Sequence, residues 1–367
     1  MKISCIDTPA LIIDYNILQR NLKMMALLAD SVGIKLRPHI KTHKINEIAL
    51  EQITLSDNGI TVAKLSEAEV MSEAGINDIL IANEIIGEQK IRRLSRLCIN
   101  NCIQVCVDSS EGVNQLEQYL DLKDRKLGVL IEIDTGMNRC GLSAAADIVK
   151  LARLVINSEK LQFRGILSHS GNIYSSKSRE EVQQIAEEEV QTMCYIADEL
   201  ISCGIKVTEV SIGSTPAAIF LEEARGITEF RPGNYVFNDN IQVSLGVTTV
   251  ENCALTVIST VISKPTEDRI IIDTGSKCLG LDKGVHGSQL IKGHGLLKEY
   301  PEILIERLSE EHGILRVNKD HEIQIGDRLT IIPNHACSVM NLFDDVYVVK
   351  EAQIYAKWQV VARGKVT

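Results

Sequence analysis

Leu36-Arg37-Pro38-His39-Ile40-Lys41-Thr42-His43-Lys44 ends an apolar run that begins at Ile34 and places two lysines and two histidines directly behind it. An apolar run that stops at a cationic cluster reads as a buried strand reaching the mouth of a parallel sheet or barrel. A lysine there, crowded by cations and shielded from water, has its pKa pushed down. Its neutral amine is a nucleophile able to form a Schiff base. Taken alone, the cluster reads equally as a solvated basic loop. The rest of the chain decides between the two.

Outward from this stretch, short β-rich runs alternate with amphipathic helical segments as far as Val236. The strands are expected at Ile34–Arg37, Ile60–Ala63, Asp78–Ala82, Ile103–Val107, Leu127–Ile133, Phe163–Ser168, Thr208–Ile212 and Thr228–Arg231. Helices are expected at Ser66–Ala74, Glu88–Leu97, Ala144–Ile156, Glu180–Ser202 and Pro216–Glu223, with a capping box from Ser66 to Glu69 and stops at Gly75 and Gly204. The fold class is therefore α/β: a (β/α)8 TIM-type barrel, with a doubly wound open sheet as the alternative. After Phe237 the runs Leu255–Ser263, Arg269–Asp273, Arg328–Ile332, Val346–Val349 and Trp358–Ala362 are strand-like with few helices between them. This predicts a barrel over residues 10–240 and a mostly β C-terminal domain over 241–367, plus residues 1–9. The apolar opening Thr8–Ile13 is a candidate strand of that second domain.

The chain of 367 residues is 45% hydrophobic and 24% charged, enough for a core of normal size. Its net charge of −10 has no basic block to offset it, which argues against nucleic acid as a partner. No apolar run is long enough to span a membrane, and Met1–Cys5 lacks the apolar region of a secretory signal. Ten scattered cysteines then read as reduced thiols in a cytoplasm. Cys98, Cys102 and Cys106 tempt a metal reading, but a helix end followed by a strand makes them buried small hydrophobes instead.

Barrel active sites lie at the carboxyl ends of the strands. Those ends carry Lys41, then Asp134–Gly141, His169–Tyr174, Gly213-Ser214-Thr215 and Arg231–Tyr235. Ser214 and Thr215 open a helix and, with Gly233 on the next loop, suit a phosphate. Read singly, each of these groups has an ordinary structural explanation. Together, a lysine for an imine, a phosphate cradle and His169 between them describe a pyridoxal phosphate site. His169 would lie on the ring, Arg231 would face the ring nitrogen and Arg139 the phenolic oxygen.

The chain resembles the fold-type III pyridoxal phosphate enzymes, those with an alanine-racemase-like barrel, and within them the D-threonine aldolase and D-serine dehydratase subgroup. The matching stretches are Thr8-Pro9-Ala10, Arg37–Lys44, Asp134–Gly141, Gly213–Pro216, Arg231–Phe237, Asp273–Lys277 and Pro333–Leu342. The resemblance implies Lys41 as the imine-forming lysine, with Lys44 second, and His169 as the stacking residue. Ser214, Thr215, Gly233, Asn234 and Tyr235 would belong to the coenzyme site. Pro333-Asn334-His335-Ala336-Cys337 is similar to the subgroup's metal motif. His335 and Cys337, on an extended segment, would point the same way toward one divalent ion, zinc before manganese.

That combination implies a lyase acting on D-3-hydroxy amino acids. Loss of the Cα proton with expulsion of hydroxide gives a 2-oxo acid and ammonia, whereas deprotonation of the hydroxyl gives glycine and an aldehyde. Cys337, and Tyr174 where the aldolases place a histidine base, lean toward dehydration. The rivals are a metal-independent racemase, for which Tyr300 and Tyr347 are available, and a non-catalytic pyridoxal phosphate-binding protein. The resemblance also implies a homodimer in which the partner covers the cavity mouth.

Overall fold

The structure is a computed structural model that describes residues 2–56, 58–283, 290–318 and 321–367. The strands are β1 (Ala10–Asp14), β2 (Lys35–Leu36), β3 (Ile60–Val62), β4 (Asp78–Glu84), β5 (Cys102–Val107), β6 (Leu127–Ile133), β7 (Leu161–Ser168), β8 (Glu209–Ile212) and β9 (Glu229–Phe230). There follow β10 (Leu255–Thr266), β11 (Arg269–Ile272), β12 (Leu296–Leu297), β13 (Leu304–Leu308), β14 (Gly313–Arg316), β15 (Arg328–Ile332), β16 (Asp345–Lys350) and β17 (Gln353–Gln359).

Strands β2 to β9 form one parallel sheet in the order β2-β9-β8-β7-β6-β5-β4-β3. The sheet curls so far that its edges meet. Thr61 N–H donates to Pro38 O at 2.8 Å, and His39 bridges Thr61 in parallel. On the β9 side the hydrogen bonds continue past strand β2, with Arg37 N–H donating to Phe230 O and His39 N–H to Pro232 O, both at 2.9 Å. The seam therefore passes through the motif that bears Lys41. Inside the curl, Leu80, Cys106, Leu130 and Leu167 of β4 to β7 pack as a separate apolar layer.

The helices over Glu88–Leu97, Ala145–Ile156 and Arg179–Ser202 wrap the outside, each burying an apolar face. Gly75 and Gly204 stop their helices with φ of 88° and 76°. The helix at Leu65–Glu73 begins one residue before the expected capping box, with Lys64 at its N-cap. Ser66 instead accepts a hydrogen bond from Thr367 N–H at 3.3 Å. The segment Pro216–Glu223 is a 3-10 helix, tighter than the α-helix expected there.

Strands β1 and β10 to β17 form a second sheet, largely antiparallel, in the order β11-β14-β13-β12-β15-β10-β1-β16-β17. β1 runs antiparallel to β10 and parallel to β16. Ala10–Asp14 thus pairs with this sheet, as read for Thr8–Ile13, and leaves the barrel range that was drawn from residue 10. The last strand ends at Gln359, earlier than the expected Trp358–Ala362, and antiparallel pairing to β16 fixes it there. One continuous core, from Leu18 and Ile40 to Val339 and Val346, joins the two sheets. Among the described residues no helix is long and apolar enough to cross a membrane.

Candidate active site

Behind β2 the chain makes a single 3-10 turn, Ile40–Thr42, which carries Lys41. His43 N–H and Lys44 N–H close it by donating to Ile40 O at 3.1 and 2.9 Å. Lys41 lines a cavity of about 460 Å³ at the carboxyl ends of the barrel strands. Burial draws the lysine pKa down; Cys337 opposes that, and Arg139 and Arg231 reinforce it. Lys44 does not line the cavity: its Nζ lies 3.2 Å from Glu67 Oε1 and donates to Asn341 Oδ1 at 3.0 Å.

Two histidines face the amine. His39 Nδ1 accepts from Lys41 N–H at 3.3 Å, while His169 Nδ1 lies 2.7 Å from Gly213 O. A carbonyl only accepts, so His169 carries its proton on Nδ1. Burial, then Lys41, pushes both imidazoles well below the usual histidine range. They are neutral rings.

Ser214, Thr215, Gly233 and Asn234 border the same cavity on the loops after β8 and β9. A Cβ at Gly213 would stand 2.9 Å from the Arg231 backbone, and one at Gly233 3.1 Å from His39 O. Glycine at both positions lets the two loops close against each other and against the lysine turn. Ser214 Oγ is 3.2 Å from Ser170 Oγ, which donates to the buried Glu189 at 2.7 Å. Because the following segment is a 3-10 helix, this side of the cavity offers hydroxyls and loop N–H groups more than a helix dipole.

Arg231 is buried and donates to Ser168 O at 2.5 Å and to Ser211 Oγ. Arg139, half exposed at the cavity rim, donates to Glu132 Oε1 at 3.3 Å. Tyr174 lines the cavity, and its phenol oxygen accepts from Gln242 Nε2 at 3.5 Å and from the Thr215 backbone N–H. Burial raises its pKa further above the usual phenol range, so the proton stays on. Tyr235 falls outside the cavity lining. Its hydroxyl accepts from Gln52 Nε2 at 2.9 Å beneath the lysine turn, and only its backbone N–H meets Thr215 Oγ1, at 3.1 Å.

From the second sheet, His335 and Cys337 reach the same cavity. They do so from a helical turn, Ala336–Met340, with His335 extended at its N-cap. The segment is therefore not a continuous strand as expected, yet the two side chains converge and hydrogen-bond each other. His335 Nδ1 lies 3.1 Å from Asp282 Oδ2 and 3.0 Å from Ser338 Oγ, which leaves Nε2 for the thiol side. Burial opposes charge on both, but each offsets it for the other. Cys337 and Asp282 raise His335 to about 10, and His335 with Lys41 lowers Cys337 below the usual thiol range. Thr42 Oγ1 sits 3.2 Å from Cys337 Sγ, directly behind the lysine turn.

Several cavity residues escaped the sequence reading. Glu84 and Glu132, at the ends of β4 and β6, hydrogen-bond each other, and burial plus this neighbour raises Glu84 to about 7. A lone acid inside Leu127–Ile133 was the available signal. Cys106 lies beside them, 3.5 Å from Glu132 Oε2; it and Cys98 are buried as expected, whereas Cys102 is exposed. Glu84, Cys106 and Glu132, and likewise Glu84, Asp108 and Cys140, sit close enough to share an ion. The buried Asp239 accepts from Asn234 Nδ2 at 2.5 Å and from Ala336 N–H at 2.9 Å, tying the loop after β9 to the His335 helix.

Residues 13–240 match the family of the alanine racemase N-terminal domain, and residues 254–349 a serine dehydratase domain. A D-threonine aldolase of Arthrobacter is 33% identical, with 98% of this chain and 93% of that protein covered. The crystal structure of D-threonine aldolase from Filomicrobium marinum superposes with a TM-score of 0.93 at 30% identity, covering 100% of this chain and 98% of that one. A D-threo-3-hydroxyaspartate dehydratase, solved as a cysteine-to-alanine mutant in the metal-free form, gives a TM-score of 0.90 at 30% identity over 98% of both chains.

Proposed function

The chain belongs to the alanine-racemase-like family that contains D-threonine aldolases and D-serine dehydratases, and from that premise we propose a pyridoxal phosphate- and metal-dependent lyase acting on D-3-hydroxy amino acids. The observation that carries this reading is one cavity lined both by Lys41 and by the His335–Cys337 pair of the other sheet.

The residues present fit the coenzyme. Lys41 offers an amine whose charge is disfavoured, and Ser214, Thr215, Gly233 and Asn234 offer a polar cradle on the opposite loops. When bound, pyridoxal phosphate supplies an aldehyde for that amine and an electron-withdrawing ring that labilises bonds at Cα of an amino acid. The neutral His169 would lie against the ring, held in orientation by Gly213 O. Arg231, fixed by Ser168 and Ser211, would face the ring nitrogen, and Arg139 the phenolic oxygen.

The metal fits as well. The Cys337 thiol, drawn toward its charged form by His335, and the His335 ring converge, and Asp282 orients that ring from behind, as carboxylates do for metal-binding histidines. His335 and Cys337 would hold zinc, with manganese second, leaving positions for water and substrate. The ion would act as a Lewis acid on the 3-hydroxyl.

Tyr174 favours elimination over retro-aldol cleavage. A phenol that keeps its proton is poorly suited to deprotonating the 3-hydroxyl, the step that retro-aldol cleavage needs. All ten cysteines are free, which supports a cytoplasmic setting, and a homodimer covering the cavity mouth belongs to the same reading.

The test is a product assay on protein loaded with pyridoxal phosphate and zinc. D-serine should give pyruvate and ammonia, and a chelator should stop the reaction. Glycine and an aldehyde from D-threonine would select the aldolase branch. A yellow protein that turns over neither substrate, or that only racemises amino acids, would overturn the proposal.

A further inference from the structure

Lys44 closes the motif that carries Lys41, yet the cavity makes no use of it. Its side chain is buried at 10% exposure, and its ammonium reaches Glu67 Oε1 at 3.2 Å and Asn341 Oδ1 at 3.0 Å. Glu67 is itself buried, and its other oxygen accepts from Ala63 N–H at 2.7 Å, just beyond β3. Asn341 is the C-cap of the helix that begins beside His335 and carries Cys337. The same Asn341 oxygen accepts from Gly364 N–H at 3.1 Å. Ala362 N–H donates to Lys44 O at 3.2 Å, and Ser66 N–H to Thr367 O at 2.9 Å. The C-terminal segment therefore laces over the same junction.

The backbone of Lys44 has φ of 56°, in the left-handed region, while its N–H closes the Lys41 turn on Ile40 O. A non-glycine residue held there signals constraint by its surroundings. An ammonium with three donors can bind a carboxylate and an amide oxygen at once, which no apolar side chain of that length can do. A buried ion pair is often no better for stability than an apolar replacement, so its value here lies in which two elements it joins.

We propose that Lys44 is a positioning residue: held between Glu67 and Asn341, it sets the His335–Cys337 helix of one sheet against the Lys41 turn of the other. The inference rests on the functional reading of the cavity, and it assigns a task to the second lysine of the motif. Thr42 Oγ1 against Cys337 Sγ, at 3.2 Å, is the contact that this register protects.

The experiment uses holoenzyme carrying Lys44→Met together with Glu67→Gln, which leaves no buried charge unpaired, and separately Asn341→Ala and Asn341→Asp. The double variant and Asn341→Ala should keep the coenzyme absorbance and an unchanged KM. Their kcat should fall by roughly ten- to a hundredfold, the cost of a small misplacement. Zinc retained after dialysis should correspond to an affinity about tenfold weaker. Asn341→Asp, which keeps the acceptor, should behave as wild type. Folded variants with unchanged kcat and zinc would overturn the proposal, as would joint loss of coenzyme and zinc, the mark of a general structural role. Wild-type protein that takes up no coenzyme would instead sink the functional reading. The positioning claim is then read by iodoacetamide alkylation of Cys337, followed by peptide mass spectrometry. Release of the helix should speed that reaction on the order of tenfold, and an unchanged rate would overturn the claim.

Discussion

Four positions separate Arg37 from Lys41, and the two side chains go to opposite ends of the barrel. Arg37 turns to the amino ends of the strands, where Glu229 of β9 meets Nε at 2.6 Å and Asp78 of β4 meets Nη1 at 2.7 Å. Lys41 turns to the mouth, where Arg139 and Arg231 are its cationic neighbours. Burial acts on both and its outcome differs. At the floor it is outweighed by the carboxylates, so Arg37 is held more firmly protonated and Glu229 falls below its usual range. At the mouth burial is reinforced by like charge, and the lysine and both histidines are drawn toward their neutral forms. Paired charge makes a fixed floor. At the mouth, burial and the nearby arginines outweigh the opposing pull of Cys337 on the lysine, and the amine is left reactive.

The contrast breaks most sharply at Lys41. Lys41→Ala should abolish the yellow absorbance of bound pyridoxal phosphate and lower turnover by about a thousandfold or more, as loss of a nucleophile does. If absorbance persists, Lys44 is the better candidate despite its place outside the cavity. Cys337→Ala should lose metal and turnover while keeping the coenzyme, and a chelator should reproduce this in the native protein. Unchanged turnover there would remove the metal from the mechanism.

The floor should answer in stability. Arg37→Ala leaves Glu229 buried without its cation and should cost about 3–5 kcal/mol in denaturant unfolding. A loss near zero would mean that the floor is not fixed by this pair. The smallest effect concerns Glu84, whose folded-state pKa of about 7 exceeds its ordinary 4.5. The folded protein therefore binds the extra proton between those values, and stability should decline as pH rises through that window. Glu84→Gln should flatten that decline in thermal unfolding measured from pH 5 to 8. A slope equal to that of wild type would show that the carboxyl pair is already open to water.

Much of this was legible in the chain. Leu127–Ile133 and Arg328–Ile332 are strands over their whole expected lengths, because Leu, Val and Ile dominate both and bury most of each against the core. The lysine turn begins at Ile40, directly after the last residue that pairs with β3. The direction of the Tyr235 side chain, by contrast, is not legible in the sequence. Tyr235 sits in the 3-10 turn Asn234–Val236 among polar residues that look alike in sequence, and its hydroxyl meets Gln52 rather than the cavity. His335 and Cys337 converge through the N-terminal turn of a helix, a geometry that the His-x-Cys spacing does not specify.

By itself the sequence determined the order of strands and helices, the lysine at a strand end and the chemistry of the groups around it. These follow from periodicity and from the rule that loops at the carboxyl ends face one mouth. Only the tertiary structure decided which of two nearby lysines meets the cavity and which joins the two sheets. It likewise decided that Glu84 and Glu132 share its wall. Those outcomes depend on partners such as Asn341 and Glu67, far away along the chain, and local propensity carries no information about long-range contacts.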